Sequence, residues 1–478
     1  MKVRKVIAVL LATSILLTCC LLSACAPAPT TSPGTTTAST ATTAKPSDTT
    51  ATTKPVVSIA PADELAYESA KIDWKQFSGK TLRVMYCNHP YQDAVEPLIP
   101  EFEELTGIDV SFEKLPEQEF WDKLMVEFSG GVGGPDVFMI NAPRLATFDA
   151  GGWIEDLRPY LQNSKLTDPD WYDSGDFYDS AIDYGKLGEK QYGLPITGEW
   201  QVLFYRKDLY EAKGLSVPKT MQELYDNAVA LNSPEVAGIV NRFSRNGTAW
   251  WPWAGFVGAY NTLWVDNKTG QPQLTSDQVK KATKMYIDLV KDAGPAGIVS
   301  MDWYEALTEF QQGRAAHFAD ASVFMADFEN PEKSQVSGKV GYAAIPIGEA
   351  SQSGQFTGIN YWLQGISAKS ENKDAAWLYL QWATSKKIAL EVAVKKGTAA
   401  RSSIWENESF LKTIPLDFAE ACAAGAATGN KYTIPEVKEL GEIAEFICIA
   451  LNEAYMGEKT LDKALEDCQA KTLKALGK

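Results

Sequence analysis

The sequence predicts an α/β fold built around a parallel sheet. Strand-like and helix-like segments alternate along the 478 residues, and the strand at 136–140 is apolar on both of its faces. Hydrophobic residues make up 45% of the chain and charged residues 22%, which is ordinary for a globular protein and excludes a wholly disordered or collagen-like chain. The length suffices for two to three domains, each with its own core.

The first elements alternate as strand, helix, strand, helix, strand. Strands are predicted at 81–86, 108–112 and 136–140, with helices at 96–106 and 120–128 between them. Such a run implies parallel strands joined by right-handed crossovers. In a sheet of this kind a ligand lies beyond the carboxyl ends of the strands, so the loops after residues 86 and 140 are the first places to expect one.

The rest of the chain continues the α/β order. Further strands are predicted at 201–205 and 340–345. Apolar spacing predicts helices at 276–293, 302–313, 373–383 and 436–476, the last of them broken at Gly457.

The first residues have the pattern of a secretory signal. Lys2, Arg4 and Lys5 precede an apolar run that ends at Leu22-Ser-Ala-Cys25. This ending resembles the bacterial lipobox, so we predict a lipoprotein signal peptide at 1–24, with acyl chains such as palmitate on Cys25 anchoring the protein to the outer face of the cell membrane. The alternative is an ordinary signal peptide in which Cys25 has no such role.

A tether is predicted to follow at 25–70. Its sequence is dominated by Thr, Ala, Pro and Ser, and residues 26–60 contain no aromatic side chain. Such a segment cannot bury enough surface to offset the entropy lost on ordering, so we expect it to be disordered. As a flexible coil, residues 26–60 would span roughly 30–35 Å above a membrane.

Charge and cysteine content narrow the choice of partners. The net charge of −16 argues against a nucleic-acid partner. Outside the signal region four cysteines remain, Cys87, Cys422, Cys448 and Cys468; their spacing dictates none of the three possible pairings, and buried free thiols are favoured. The chain has only two histidines and no CxxC spacing among these four cysteines, so no metal site or cofactor is predicted.

Short motifs occur in a characteristic order over about residues 80–385. They include Gly134-Pro-Asp-Val137, Ala150-Gly-Gly-Trp-Ile-Glu-Asp-Leu157, Tyr192-Gly-Leu-Pro195, Leu203-Phe-Tyr-Arg-Lys-Asp-Leu209 and Phe310-Gln-Gln-Gly-Arg-Ala-Ala-His317. This ordered set resembles the carbohydrate-type extracellular solute-binding proteins that serve ABC importers. The resemblance implies a two-lobed periplasmic-binding-protein-like fold whose lobes contain parallel sheets, are joined by a hinge and close over a sugar or oligosaccharide.

The same resemblance implies where the lobes begin and end. The N-terminal lobe is expected at 71–199 plus 363–404 and the C-terminal lobe at 200–362 plus 405–478, with crossings near Glu199, Trp362 and Ile404. It further implies a non-enzymatic monomer that docks on the permease subunits of an importer. Members of the family often carry a tryptophan near residues 322–324. This chain has Phe324 there. Either Phe324 is expected to stack on the ligand in place of the missing tryptophan, or the tryptophans at 250–253 are expected to do so.

The 14 tryptophans support a sugar-type cleft independently. Five lie in predicted helices or at their edges and are assigned to core packing: Trp74, Trp121, Trp153, Trp377 and Trp382. Three more lie at 250–253 among glycines and a proline, where a loop is predicted. Sugars present flat C–H faces to aromatic rings and hydroxyls to fixed polar groups. The predicted ligand-binding residues are Asn88, Asn141, Arg144, Glu199, Trp200, Trp251, Trp253, Asp320, Tyr361, Trp362 and Arg401.

Enzymatic and metal-binding alternatives have weaker support. A surface glycoside hydrolase using the same aromatic cleft remains open, because it needs only two opposed carboxylates and the chain has 61 acidic residues. The acidic segment at 168–183 lacks the Gly and Glu of an EF-hand loop, so a solvated acidic surface is favoured over Ca²⁺ binding. Short motifs like those of penicillin-binding serine enzymes occur at 111–114, 244–246 and 268–270. Ser111 lies on a predicted strand, where residues three positions apart face opposite sides, so Lys114 could not reach its hydroxyl. No catalytic residue is therefore predicted.

Overall fold

The computed structural model describes residues 66–131, 134–349, 351 and 353–478. The predicted signal peptide, Cys25 and the tether up to residue 65 lie outside the described residues. Within these ranges, no helix combines the length and the apolar character that crossing a bilayer requires.

Ten strands are present among the described residues. They are β1 Thr81–Cys87, β2 Asp109–Leu115, β3 Val137–Asn141, β4 Lys186–Leu187, β5 Lys190–Gln191, β6 Leu194–Arg206, β7 His317–Ala321, β8 Val340–Ala344, β9 Thr357–Ile366 and β10 Gly429–Asn430. The main sheet has the order β2-β1-β3-β9-β6-β7, with β8 also paired to β6 and β10 to β9. Strands β1, β2 and β3 are parallel, as their alternation with helices predicts.

The two long strands β6 and β9 connect the parts of this sheet. Residues 194–200 of β6 pair with β9, whereas residues 201–206 pair with β7 and β8. Strand β9 pairs with β10 at its beginning and with β3 at 362–366. The partners therefore change next to Glu199 and Trp362, where the sequence places two crossings. The exact lobe boundaries remain a prediction.

Nineteen α-helices are found in the same ranges. They are α1 Pro90–Val95, α2 Ile99–Thr106, α3 Glu117–Gly130, α4 Ala142–Ala150, α5 Arg158–Leu161, α6 Pro169–Tyr172, α7 Asp179–Tyr184, α8 Lys207–Lys213, α9 Met221–Leu231, α10 Trp250–Ala259, α11 Asp277–Ala293, α12 Trp303–Gln311, α13 Met325–Phe328, α14 Lys373–Ala383, α15 Lys386–Lys396, α16 Glu408–Leu411, α17 Leu416–Thr428, α18 Leu440–Tyr455 and α19 Leu461–Ala475. The predicted break at Gly457 separates α18 from α19, and its φ of 72° is a conformation that glycine adopts without strain.

The loop predicted for the tryptophans at 250–253 is wrong, because this segment is the start of helix α10. Pro252 lies in the first turn of the helix, where its missing N–H has no intrahelical partner to lose. Two glycines permit close packing: a Cβ on Gly255 would collide with the Gln201 side chain, and one on Gly258 with the Phe356 carbonyl. The glycines that suggested a loop therefore serve helix packing.

The end of the predicted tether also needs correction, because residues 66–70 are part of the folded body. Tyr67 is buried, donates a hydrogen bond of 2.5 Å to Glu101, and packs against the rings of Trp74 and Trp171. The prediction missed this because one aromatic residue at the end of a polar stretch gives no periodic signal.

Two large hydrophobic clusters form the core. The first contains the strands β1 and β3 together with α14, and the second is centred on α10, α11 and α18. Cys87, Cys422, Cys448 and Cys468 are buried free thiols, which confirms the prediction made for them.

His317 on β7 is a fully buried imidazole whose two nitrogens both have partners. Its Nδ1 lies 2.6 Å from the Gly238 carbonyl and its Nε2 lies 2.5 Å from the Tyr210 hydroxyl, so Nδ1–H donates and Nε2 accepts. Burial lowers the pKa of His317 from 6.5 to about 4, because the charged form would be desolvated.

We expect His317 to make the protein acid-sensitive. Between pH 6.5 and 4 the unfolded chain binds a proton at this residue that the folded protein does not, so stability falls as the pH falls, by about 3 kcal/mol across the window. Urea unfolding of the protein and of His317→Asn at several pH values measures this. The variant should be less stable at pH 7 but lose less stability on acidification. Parallel pH profiles would contradict the prediction.

Candidate functional site

A cavity of about 80 Å³ opens where the carboxyl ends of β1 and β3 meet the middle of β6 and β9. Its wall consists of Asn88, His89, Pro90, Glu117, Asn141, Glu199, Arg242, Thr248, Trp250, Trp251, Trp303, Ala321, Val323, Phe324, Asn360, Trp362 and Ile434. It adjoins an outer cleft of about 1140 Å³. Eight of the described residues border both spaces and form the neck between them: Asn88, His89, Pro90, Glu117, Asn141, Thr248, Trp250 and Trp303.

Glu199 is held on one side of the cavity by two neutral groups. His89 Nε2 lies 2.8 Å from Glu199 Oε1, and the Asn360 amide donates to Oε2 at 3.4 Å. His89 Nδ1 accepts from the Tyr91 backbone N–H at the start of α1, so the ring proton is on Nε2 and is donated to the carboxylate. The Tyr184 hydroxyl in turn donates to the Asn360 amide oxygen. This chain of bonds fixes the direction of the Glu199 carboxylate.

A second polar chain lies across the cavity. Arg242 donates two hydrogen bonds to Asp320, at 2.7 and 2.5 Å, and one to the Thr248 hydroxyl at 2.9 Å. Thr248 donates onward to Asp302 at 2.7 Å. Burial acts to lower the pKa of Arg242, but the Asp320 carboxylate outweighs it and raises that pKa above its ordinary value. Arg242 is therefore a permanently charged and rigidly oriented part of the wall.

Aromatic rings form much of the remaining wall. Trp362 stacks on Trp121 with ring planes 12° apart, and the Arg144 guanidinium lies 3.8 Å from the ring centre of Trp121. On another part of the wall, Trp303 stacks on Phe324 with planes 8° apart. The resemblance assigned the stacking role either to Phe324 or to the tryptophans at 250–253. Phe324, Trp250 and Trp251 all line the cavity.

Two polar side chains near the neck lack a full set of partners. Glu117, the first residue of α3, accepts only a long hydrogen bond of 3.4 Å from Trp121 Nε1 among the described residues. Burial raises the pKa of Glu117, although the Arg242 guanidinium acts in the opposite direction. Asn141 Oδ1 is buried without a partner in the described structure. Both are acceptors available to a ligand.

The structure brings some of the predicted site residues together. Asn88, Asn141, Glu199, Trp251 and Trp362 line the cavity, and Arg144 lines the outer cleft. The remaining five lie outside both walls: Trp200, Trp253, Asp320, Tyr361 and Arg401. Asp320 acts behind the wall by holding Arg242, and Trp200 packs against Trp405 at 5.4 Å.

The other three are structural residues, for which the geometry does not support ligand contact. Trp253 is fully buried and donates to Thr283, and Tyr361 is bonded to Ser180. Arg401 is completely buried and binds Asp176 and three backbone carbonyls. The sequence favoured a solvated acidic surface at 168–183. That prediction is wrong at Asp176, which is buried and paired with Arg401.

Sequence reasoning missed several residues of the wall. His89, Glu117, Arg242 and Trp303 were not predicted, and Trp121 was assigned to core packing. A signal existed for Arg242, because the apolar run 237–240 forms isolated parallel bridges with residues 315–318 and Arg242 follows it as a strand-end polar residue. Glu117 and Trp303 begin helices, and nothing in their local sequence indicates that the two helices border one cavity.

A cavity at the carboxyl ends of parallel strands, opening onto a larger cleft beside the long strands β6 and β9, is the arrangement of a two-lobed solute-binding fold. The profile of the bacterial extracellular solute-binding protein family matches residues 88–389. The chain therefore belongs to this family, as its ordered motifs predicted.

Named relatives are binding proteins of similar length. The chain is 30% identical over 360 residues to an erythritol/L-threitol-binding protein of Mycolicibacterium smegmatis, covering 70% of this chain and 73% of that protein. It is 27% identical over 419 residues to a mannitol-binding protein of Pseudomonas aeruginosa, covering 83% and 93%. A crystal structure of an ABC transporter solute-binding protein from Agrobacterium radiobacter in complex with ribitol matches with a TM-score of 0.76 at 27% identity, covering 83% of this chain and 99% of that one. These matches confirm the two-lobed fold.

Proposed function

We propose that this protein is the substrate-binding component of an ABC importer and that it captures a small polyhydroxylated molecule, a sugar or a polyol, between its lobes. The observation that carries the proposal is the cavity itself. It combines the aromatic faces of Trp303 and Trp362 with a carboxylate, Glu199, whose orientation is fixed by neighbouring side chains. Rings suit the C–H faces of such a ligand, and an oriented carboxylate suits its hydroxyls.

The size of the cavity favours a compact ligand or the end of a longer one. The inner space is about 80 Å³, whereas the outer cleft is about 1140 Å³. The relatives named above are described with erythritol, L-threitol, mannitol and ribitol, all short polyols. By analogy we place a polyol or sugar with one end in the inner cavity and the rest of the molecule in the adjoining part of the outer cleft. The outer cleft leaves room for a longer saccharide.

The route of delivery is part of the same proposal. Lipid on Cys25 would hold the protein at the outer face of the cell membrane, and residues 26–65 would let the folded body reach a permease. The lobes, at 71–199 plus 363–404 and at 200–362 plus 405–478, would close on the ligand, which selects the closed form by touching both. The protein would act as a monomer without catalysis.

Intrinsic fluorescence tests the proposal directly, because Trp250, Trp303 and Trp362 border the ligand space. Titration of the full chain with four- to six-carbon polyols, monosaccharides and malto-oligosaccharides should give a saturable change with at least one of them. Product analysis of the same samples distinguishes the alternatives. Release of reducing ends from an oligosaccharide would contradict a pure binding role and favour the hydrolase.

A further inference from the structure

The charges of the inner cavity do not balance. Among the described residues of its wall, Arg242 is the one side chain with a permanent positive charge, and its bidentate bond to Asp320 neutralises it. His89 accepts at Nδ1 from a backbone N–H, so it is the neutral tautomer. Glu117 and Glu199 therefore face a small, partly water-excluded space without an ion pair to a permanently charged side chain of that wall, although the Arg242 and Arg144 guanidinium groups act on Glu117 from beyond ion-pair distance.

The wall also offers unused hydrogen-bond acceptors. Arg242 uses three of its five N–H groups on Asp320 and Thr248, and His89 uses its ring N–H on Glu199. Acceptors remain available: lone pairs of Glu117 and Glu199, and the unpartnered Oδ1 of Asn141. A hydroxyl brings one donor together with lone pairs that themselves need donors. An ammonium group brings three donors and no acceptor, so it complements the carboxylate acceptors of this wall better, while hydroxyl lone pairs of the same ligand suit the two N–H groups that Arg242 keeps.

The aromatic part of the neck is compatible with a cation. Trp250 and Trp303 border both spaces beside Glu117, and an indole face attracts a positive charge. One such contact already exists in the outer cleft, where the Arg144 guanidinium lies 3.8 Å from the ring centre of Trp121. Arg144 lines the outer cleft and stacks on that ring, and its charge acts on Glu117 without forming an ion pair with it.

We propose that the ligand carries a protonated amine, as an amino sugar or an amino-substituted polyol does, with its ammonium group bound at the neck beside Glu117. This inference rests on the proposed function and specifies its substrate class. The hydroxyls of the same molecule donate to Glu199 and to Asn141 Oδ1, and its carbon skeleton lies against Trp303 and Trp362. The raised pKa of Glu117 agrees with a carboxylate whose charge is balanced only when the ligand is bound.

The test compares pairs of ligands that differ in one group. D-sorbitol is paired with 1-amino-1-deoxy-D-sorbitol, and D-glucose with D-glucosamine, each titrated by calorimetry against the full chain at neutral pH and low salt. In at least one pair the amine should bind roughly ten-fold tighter or more, since hydrogen bonds between an ammonium group and a carboxylate are charge-assisted. Glu117→Gln keeps the shape of the side chain and should reduce that preference to less than about three-fold. Glu119→Gln, an exposed neighbour on the same helix that lines neither space, should preserve it.

The outcomes separate this inference from the proposed function. If the neutral member of each pair binds as tightly as the amine, the ligand is an uncharged polyol or sugar, and the inference is overturned while the binding role stands. If an amine is preferred but Glu117→Gln retains that preference, the position of the ammonium group beside Glu117 is wrong. Circular dichroism shows whether the protein used is folded. If folded protein binds no member of either pair, the inference is overturned. The proposed function is then tested separately by the wider panel of neutral ligands.

Discussion

Replacement of Asp320 by alanine is expected to lower the free energy of unfolding by about 3–5 kcal/mol, because it leaves the Arg242 guanidinium buried without its counter-charge. Asp320 is fully buried on β7 and accepts both hydrogen bonds of the bidentate pair. The same variant should bind ligand poorly even where it is folded, since Arg242 loses the partner that orients it in the cavity wall. Urea unfolding monitored by circular dichroism measures the first effect, and ligand titration below the unfolding transition measures the second.

The chain contains a matched control for this experiment. Arg314 and Glu309 form another bidentate pair, at 2.8 and 2.7 Å, but the Arg314 side chain is 49% exposed and both residues lie outside the cavity and the outer cleft. Glu309→Ala should cost less than about 1 kcal/mol and leave binding unchanged. Similar losses of stability in the two variants would show that burial of the Asp320 pair does not have the importance assigned to it.

The parallel strands could be predicted from the sequence because their signals are local. Residues 82–86 are apolar except for Arg83, residues 137–140 are entirely apolar, and each strand is separated from its neighbour by a segment with helical spacing. Helix α10 could not be predicted in this way. Its glycines and proline are typical of a loop, and their real roles depend on Gln201 and Phe356, which approach from other parts of the chain.

The site was partly predictable for a related reason. Asn88 and Asn141 follow strands β1 and β3, and the rule that ligands lie at the carboxyl ends of parallel strands found both. Arg401 also seemed a site residue, but its partner Asp176 lies 225 positions earlier, and only the folded chain shows that the two neutralise each other. The pairing of Glu199 with His89 crosses 110 positions and was invisible for the same reason.

Trp362 and Trp200 provide the sharpest test of which tryptophans contact the ligand. Both were predicted as site residues, both lie on the long crossing strands, and they are 5% and 3% exposed. Trp362 lines the cavity and stacks on Trp121, whereas Trp200 lies outside the wall and packs edge-on against Trp405. Trp362→Leu should weaken ligand binding by roughly ten-fold or more, because it removes an aromatic face from the ligand space.

Trp200→Leu is the matched variant, and it should leave affinity within about three-fold of the original, a change of less than 1 kcal/mol. Each substitution removes a buried indole from the first hydrophobic cluster, so each should lower the free energy of unfolding by about 1–3 kcal/mol. A similar loss of stability with a different loss of affinity is the expected pattern, because packing is common to both residues and ligand contact belongs to Trp362. Equal losses of affinity would mean that binding depends on the integrity of the crossing strands more than on the aromatic face in the cavity.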